Sequence, residues 1–299
     1  MDVDTRVLRY FAAVAEELNF TRAAERLYVT QPSLSRQIRQ LETDLGVTLF
    51  TRTSREVLLT AAGEALLPLA KALISDWQSA QRTVRGVAAL EGRVLRIGFE
   101  ASGAGPLTNR ARERFAQRLP DVVIEPKRFD WGGEVAAVRD GLVDAAFIWL
   151  PADTDGLHTE VVAQEQRMVG LATGHRLAER SSVAIMDLRT EPVMWTSKAP
   201  RPWVNWWAVN PRPDGSEPVW GPQNDNVEEM LEQVASGLAI CIGPSSMATY
   251  YARPDLVWLP ITDIEPLRIA FAYPVSSTNP LVAAFAAVVR ELRSVHRDL

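Results

Sequence analysis

The sequence predicts an α+β protein of more than one domain, with a helical N-terminal segment, one long helix and a larger α/β segment. Three observations support this prediction. With 299 residues, 47% of them hydrophobic and 23% charged, the chain has the composition of a globular protein and the length of about two domains. Through residues 1–90, apolar residues recur mostly at helical spacing. Beyond residue 93, short apolar runs alternate with helical patterns, as in α/β domains.

The N-terminal segment contains three helical patterns in close succession. Apolar residues recur every three or four positions over residues 4–17, which predicts an amphipathic helix. Thr21 is a candidate N-cap for a short second helix that ends near residue 27. Pro32 suits the first turn of a longer third helix, and Gly46 is expected to end it.

These helices have the order of a winged helix-turn-helix. The longer helix would enter the major groove of DNA, and two short strands at residues 47–50 and 56–60 would form the wing. Glutamine, serine and arginine on the outer face of this helix suit contacts with base edges, and arginine in the wing suits phosphate. A winged helix that contacts only protein is the alternative. The DNA-binding candidates are Thr21, Thr30, Gln31, Pro32, Ser33, Ser35, Arg36, Arg39, Arg52, Thr53 and Arg55.

The charge distribution favours nucleic-acid contact only in the N-terminal segment. The formal net charge of −5 divides into +1 for residues 1–90, from 11 basic and 10 acidic residues, and −6 for residues 91–299, from 21 and 27. Between residues 20 and 55, six arginines accompany three acidic residues. Arginine binds phosphate well. An ordinary solvated face is the alternative interpretation of this patch.

The N-terminal segment resembles the signature of LysR-type transcription regulators at almost every position. The segments that carry the resemblance are NFTRAAERL at 19–27, TQPSLSRQI at 30–38, LE at 41–42, LG at 45–46, LF at 49–50 and Arg52. The resemblance is strong over residues 1–65 and afterwards lies in the order of elements. It implies a sequence-specific regulator that binds promoter DNA at two-fold half-sites, with RNA polymerase as a further partner.

A long helix is predicted after the wing. Apolar residues are spaced by three and four from residue 59 to residue 87, and Thr60 is a candidate cap. A helix of about 28 residues spans ~42 Å, which a small winged domain alone does not cover. The resemblance implies that this seam pairs with a second subunit in a homodimer or homotetramer, and packing within the chain is the alternative. The dimerisation candidates are Leu66, Leu69, Leu73, Trp77 and Val84.

The C-terminal segment is predicted to be an α/β domain with a mostly parallel sheet covered on both faces. The resemblance implies a two-lobed, periplasmic-binding-protein-like effector domain with two crossovers between its lobes. The predicted units are a winged helix-turn-helix at 1–60, a linker helix at 61–90 and an effector domain at 91–299, with lobe I at 91–162 and 268–299 and lobe II at 163–267.

An effector cleft is expected where the strands of the two lobes end, because helix N-termini present free N–H groups there. Eight of the nine tryptophans lie beyond residue 91. A tryptophan wall favours a flat ligand and helix N-termini hold anions, so an aromatic or planar carboxylate is the expected effector. Core packing is the alternative role of each tryptophan. The effector-binding candidates are Ser102, Gly103, Asp130, Trp131, Trp149, Thr196, Trp203 and Asn224.

The sequence predicts no catalytic site, metal or cofactor. Its three histidines are far apart and outside any metal or nucleophile motif. The single cysteine, Cys241, lies in an apolar run that predicts a packed thiol and disfavours a redox switch. No stretch approaches the ~20 apolar residues of a membrane span, so a cytoplasmic protein is expected. The alternative functions are a regulator without an effector and an enzyme of periplasmic-binding architecture.

Overall fold

The structure is a computed structural model that describes residues 4–27, 29–52, 56–91 and 93–294. The chain divides into two units, Met1–Val84 and Arg85–Leu299. Among the described residues, no helix is both long enough and apolar enough to cross a bilayer.

Apolar residues at helical spacing form the core of the N-terminal unit. Its elements are α1 Thr5–Glu17, α2 Phe20–Arg26, α3 Gln31–Leu45, β1 Phe50–Arg52, β2 Val57–Leu59 and the first part of α4 Ala61–Glu91. Phe11, Leu34, Ile38 and Phe50 are buried together between the helices and the hairpin. The two strands pair antiparallel, with Phe50 opposite Leu59. The predicted winged helix-turn-helix is therefore confirmed, with a wing strand that starts three residues later than expected.

Local capping explains where these helices begin and end. Asn19, not Thr21, is the N-cap of α2, because its side chain accepts hydrogen bonds from the backbone N–H groups of Thr21 and Arg22. The prediction of Thr21 as the cap was wrong by two residues. Gly46 ends α3 with a φ of +68°, as expected. Thr60 caps α4 through a 3.1 Å hydrogen bond from the N–H of Gly63 to its Oγ1.

The long helix α4 has two apolar faces. Leu66, Leu67, Ala70 and Ile74 pack against the core of the N-terminal unit. Leu66 is half-buried and contacts the core of its own unit, so it is less available to a second subunit than the sequence suggested, and its role in dimerisation stays a prediction. Apolar side chains on the other face are exposed, and these are Leu69, Leu73, Trp77 and Val84.

The second unit contains six helices and ten strands in the part that is described. The helices are α5 Pro106–Arg118, α6 Gly133–Arg139, α7 Arg201–Ala208, α8 Val227–Ala235, α9 Ser245–Tyr250 and α10 Pro280–Ser294. The strands are β3 Val94–Glu100, β4 Val123–Phe129, β5 Ala145–Leu150, β6 Leu157–Glu165, β7 Arg167–Ala172, β8 Val193–Trp195, β9 Trp220–Gln223, β10 Cys241–Pro244, β11 Leu256–Pro260 and β12 Leu267–Pro274.

The strands form a two-lobed arrangement. Lobe I contains a five-stranded sheet in the order β4-β3-β5-β12-β6, and lobe II contains a three-stranded sheet in the order β10-β7-β11 together with the pair β8-β9. The chain passes from lobe I to lobe II between β6 and β7, at Gln166. It returns between β11 and β12, over residues 261–266.

The sheets are mixed, so the expectation of a mostly parallel sheet is wrong. β3 runs parallel to β4 and β5, whereas β12 runs antiparallel to β5 and β6. In lobe II, β7 is antiparallel to both of its neighbours. The reason in lobe I is the return crossover, because β12 enters that sheet from lobe II in the opposite direction to the strands that left it.

Candidate DNA-binding surface and effector cleft

The first two turns of α3 present a polar, exposed surface. Gln31, Pro32 and Arg36 are exposed, and Ser33 is half-buried. The side chain of Arg36 makes no hydrogen bond or ion pair with any part of the chain that the structure describes. Its guanidinium is therefore free for an external partner, and arginine pairs bidentately with guanine.

Ser35 does not belong to this exposed surface. Its side chain is only 4% exposed, and its Oγ accepts a hydrogen bond of 3.1 Å from Nη2 of Arg39. The expectation that Ser35 faces outward is wrong, because it lies beside Leu34 and Ile38 on the buried side of α3. Its contact with DNA is excluded in this arrangement, and it instead orients the exposed Arg39.

Two of the arginines counted in the basic patch link α2 to α1. Nη1 of Arg26 lies 2.7 Å from Oε2 of Glu16, and Nη2 of Arg22 donates to the carbonyl of Glu17 at 2.6 Å. These contacts reduce the basic surface offered by the patch. The remaining candidates ahead of α3, Thr21 and Thr30, are both exposed.

The wing is held to α3 by a carboxylate. Oε1 of Glu42 accepts hydrogen bonds from the backbone N–H groups of Leu49 and Phe50, at 2.9 and 3.1 Å. Arg52 is the last residue of β1. Its side chain, and the candidates Thr53 and Arg55, lie outside the described residues.

Five of the eight effector candidates line one cavity between the lobes. Trp131 follows β4 and Trp149 lies near the end of β5, both in lobe I. The other three, Thr196, Trp203 and Asn224, belong to lobe II. The wall also contains residues beyond these eight, which are Val193, Met194, Trp195, Val204, Trp207, Ala208, Met230, Cys241, Ile242, Gly243 and Met247. The cavity is about 50 Å³ in volume, which is room for one or two water molecules.

Aromatic rings from the two lobes fill most of this cleft. The ring centroids of Trp131 and Trp203 are 6.2 Å apart, and those of Trp149 and Trp207 are 5.5 Å apart. Nε1 of Trp131 also donates to Oδ1 of Asn224 at 2.7 Å. Each contact joins lobe I to lobe II. The tryptophans therefore pack between the lobes and also line the cavity. Their contact with a ligand stays a prediction.

The other three candidates lie outside this cavity. Oγ of Ser102 is 2.6 Å from Oγ of Ser246, a second polar contact between the lobes. The carbonyl of Gly103 accepts a hydrogen bond from Nε1 of Trp149 at 2.7 Å. Asp130 pairs with Arg128 at 3.2 Å near the surface. Ser246 was missed because a serine at a helix start has no distinctive sequence signal.

Two buried carboxyl groups support the lobe I wall, and the sequence did not single them out. Glu100 is fully buried and its Oε2 accepts a hydrogen bond of 2.8 Å from the N–H of Gly132. Burial raises its pKa to about 7. Glu134 is also buried, and burial together with the nearby charge of Glu100 raises its pKa well above its ordinary value.

A buried arginine anchors the tryptophan-bearing helix α7. Nη2 of Arg167 donates to the carbonyls of Trp206 and Trp207, at 2.8 and 2.7 Å. Its guanidinium lies 4.0 Å from the centroid of the Trp206 ring, and Nε1 of Trp206 donates to Glu265. Burial lowers the pKa of Arg167 to about 9. The end of α7 is thus fixed by a cation at its negative dipole end.

Neither a metal site nor a reactive thiol is present among the described residues. No group of three or more histidine, cysteine, aspartate or glutamate side chains there is arranged to hold a metal ion. Cys241 is buried, and its burial raises the pKa of the thiol to about 12. A thiol with that pKa is inert at neutral pH.

Comparison with known proteins identifies both units. Residues 5–64 match the bacterial regulatory helix-turn-helix protein of the lysR family, and residues 88–294 match the LysR substrate binding domain. The chain belongs to the LysR family of transcriptional regulators. This LysR-type regulator therefore combines a DNA-binding winged helix-turn-helix with a C-terminal effector-binding domain.

Curated relatives and solved structures agree over the whole length of this LysR-type regulator. It is 32% identical over 296 residues to the Hca operon transcriptional activator HcaR of Escherichia coli (strain K12), covering 97% of this chain and 98% of that one. It is 31% identical over 274 residues to the regulator BenM of Acinetobacter baylyi, covering 90% of each. Full-length BenM has a TM-score of 0.56 at 27% identity, over 98% of both chains.

A solved complex shows the same fold on DNA. Full-length CbnR complexed with its target DNA has a TM-score of 0.56 over 97% of this chain and 100% of that one. The sequence identity is 24%, so this likeness concerns the fold.

Proposed function

We propose that this LysR-type regulator reads promoter DNA with the exposed side of α3 and that a small molecule in the inter-lobe cleft alters its DNA binding or bending. The cleft is the observation that carries the proposal. Its two lobes meet through aromatic side chains around a cavity, so a ligand there would have different contacts if the lobes moved apart or together. A ligand shifts such an equilibrium only by its differential affinity for the two states.

The free guanidinium of Arg36 supports the DNA part of the proposal. With Gln31, Pro32 and half-buried Ser33, it forms a surface of suitable size and polarity for base edges. Arg39, Thr21 and Thr30 are proposed to contact the backbone, together with Arg52, Thr53 and Arg55 of the wing. The names of HcaR and BenM as transcriptional regulators, and the CbnR–DNA complex, support this assignment.

The exposed seam of α4 supports assembly of two subunits. Leu69, Leu73, Trp77 and Val84 present large apolar side chains to solvent, with Val84 70% exposed. A second copy of α4 would cover them, and a symmetric dimer suits two-fold DNA half-sites. A homotetramer and contact with RNA polymerase belong to the same proposal, as do a cytoplasmic location and the lack of enzymatic activity.

The tryptophan wall supports a planar aromatic effector. The carboxylate expected from the sequence depends on Ser102, Thr196 and free helix N-termini. In the structure, Ser102 is bonded to Ser246 outside the cavity, and Oγ1 of Thr196 accepts the N–H of Lys198 at 3.1 Å. The planar ring therefore has more support than the acidic group.

A regulator without an effector is the second candidate function, and the small volume of the tryptophan-lined cavity, about 50 Å³, favours it. The experiment that separates the two is a screen of aromatic metabolites against the full-length protein, read by thermal stabilisation. Hits are then added to a duplex that the protein itself has selected from random DNA. A hit that stabilises the protein and changes its DNA affinity supports the proposal, and turnover of the compound points to an enzyme.

A further inference from the structure

The cavity between the lobes offers a ligand hydrophobic rings and one fully buried polar side-chain atom that lacks a partner in the described structure. None of the lining residues that the structure describes carries a charge. Asn224 is already satisfied, because its Oδ1 accepts from Trp131 and its Nδ2 donates to the carbonyl of Trp195 at 3.0 Å. Nε1 of Trp207, by contrast, is buried and has no acceptor among the described residues. A buried donor without an acceptor costs free energy, so a ligand that supplies an acceptor would be favoured.

The backbone N–H groups that usually receive an anion at such a cleft are occupied by the protein itself. The carboxylate of Glu100 accepts a hydrogen bond of 2.8 Å from the N–H of Gly132, just ahead of α6. The carboxylate of Glu165 accepts a hydrogen bond of 2.7 Å from the N–H of Ser246, at the start of α9. Two of the anion positions that a free effector carboxylate would take are therefore filled by side-chain carboxylates.

Neutral side chains occupy backbone N–H groups at the starts of α5 and α8, whereas α7 has no side-chain cap. Oγ1 of Thr108 accepts the N–H of Ala104 ahead of α5, at 3.0 Å. Oδ1 of Asn226 accepts the N–H of Glu229 in the first turn of α8, at 2.9 Å. At α5 and α8, an entering carboxylate would have to break one of these hydrogen bonds to form its own. At the start of α7, Pro200 and Pro202 have no N–H group to offer, and the N–H of Trp203 donates to the carbonyl of Pro200 at 2.9 Å.

Acidic groups behind the lobe I wall of the cavity also disfavour an anionic ligand. Glu100 bonds to the backbone beside Trp131, and Glu134 accepts a hydrogen bond from the backbone of Trp149. Each carboxyl group retains one buried oxygen without a partner in the described part of the chain. A negative ligand would be placed near the acidic groups of Glu100 and Glu134, which is costly in a buried site. The buried cation beside Trp207, Arg167, already donates to the carbonyls of Trp206 and Trp207 and interacts with the charge of Glu265.

From these observations we propose that the effector is an uncharged planar aromatic molecule whose hydrogen-bond acceptor pairs with Nε1 of Trp207, and not an aromatic carboxylate. The inference rests on the proposed function, because it assigns the ligand class of the same cleft. The cavity of about 50 Å³ is too small for such a ring as it stands. The ring enters when half-buried Trp203, which lies 6.2 Å from Trp131 and 5.7 Å from Trp207 between ring centroids, moves aside.

Matched pairs of aromatic probes test the charge of the ligand. Benzoate and benzamide, cinnamate and cinnamamide, and indole-3-carboxylate and indole-3-carboxaldehyde are titrated into the full-length protein at pH 8, by calorimetry and thermal shift. The neutral member of at least one pair is expected to bind about ten-fold or more tightly than its acid. Equal or tighter binding by the acids would overturn the inference, and so would an absence of binding by every neutral member.

Trp207→Phe tests the proposed hydrogen bond, since it keeps an aromatic ring and removes the donor. Trp258→Phe is the matched control, because Nε1 of Trp258 is also buried without a partner but Trp258 does not line the cavity. Trp207→Phe is expected to weaken the neutral carbonyl probe about five- to ten-fold, and Trp258→Phe is expected to leave it unchanged. Equal affinities in both variants would remove Trp207 from the site.

DNA binding by the same preparations separates the two levels of the proposal. If acids rather than neutral probes bind and alter DNA affinity, the ligand class is wrong and the proposed function stands. If no compound that binds the cleft alters DNA affinity, the proposed function fails.

Discussion

Arg36 is the residue on which recognition of a specific DNA sequence is expected to depend most. Of the arginines on α2 and α3, it is the one that lacks an internal partner in the described structure, whereas Arg22 and Arg26 are paired with α1 and Arg39 with Ser35. The sequence places four polar residues at the start of α3. It does not show that Ser35 faces inward, because a small serine beside the apolar stripe fits either side.

Arg36→Ala is expected to lose about 1–3 kcal/mol of binding to the selected duplex and much less on random DNA. The reason is that a bidentate arginine discriminates between bases, whereas a phosphate contact does not. Fluorescence anisotropy on both duplexes measures the difference. Arg114→Ala removes one charge from the C-terminal unit and serves as control. Equal losses on specific and random DNA would remove Arg36 from base readout.

Glu100 is expected to make stability depend on pH. Burial raises the pKa of its carboxyl group from 4.5 to about 7, so the folded state binds this proton more tightly than the unfolded state. Its contribution to the free energy of unfolding is complete below pH 4.5 and is lost as the pH rises through 7. The fall amounts to at most about 3 kcal/mol.

Glu100→Gln should therefore flatten the pH dependence of unfolding between pH 4.5 and 7. Urea denaturation at several pH values measures this. Glu291→Gln is the control, because the guanidinium of Arg118 lowers the pKa of Glu291 and its effect falls below pH 4.5. A wild-type slope in the Glu100 variant would show that its neighbour Glu134 carries the proton instead.

At the scale of elements, α4 shows what apolar spacing predicts and what it does not. The three-and-four spacing correctly predicts one long helix. It cannot assign each apolar residue to a face, because Leu66 and Leu69 both fit a single continuous seam. The position of the N-terminal core determines which face each residue lies on. Leu66 packs against that core, whereas Leu69 is exposed.

Leu73→Asp tests the exposed face of α4. Leu73 is 54% exposed, so a charge there should leave the monomer folded while disfavouring an apolar interface between two copies. Sedimentation velocity should show monomers, and circular dichroism an unchanged helix content. Ala72→Asp is the matched control, because Ala72 is the neighbouring residue and is exposed but does not belong to the apolar seam. Identical sedimentation of wild type and Leu73→Asp would contradict pairing through this face and favour packing of the seam within one chain.

At the scale of the whole molecule, the order of elements is predictable and the content of the cleft is not. Alternating strand and helix patterns indicated an α/β domain, but β8 has three residues and β9 contains a Gly-Pro step, so neither has a strand signature. The direction of β12 depends on the return crossover. The contact of Trp131 with Trp203 joins residues from different lobes, which no local pattern reports.

The central claim is that ligand in the inter-lobe cleft and DNA on α3 influence one another, and reciprocal titration tests it most directly. The affinity of the full-length protein for its selected duplex is measured with and without a saturating cleft ligand, and the ligand affinity with and without duplex. Linkage requires the two ratios to be equal, and we expect each to differ from one by about five-fold or more. A ligand that binds the cleft while both ratios stay at one would contradict the account.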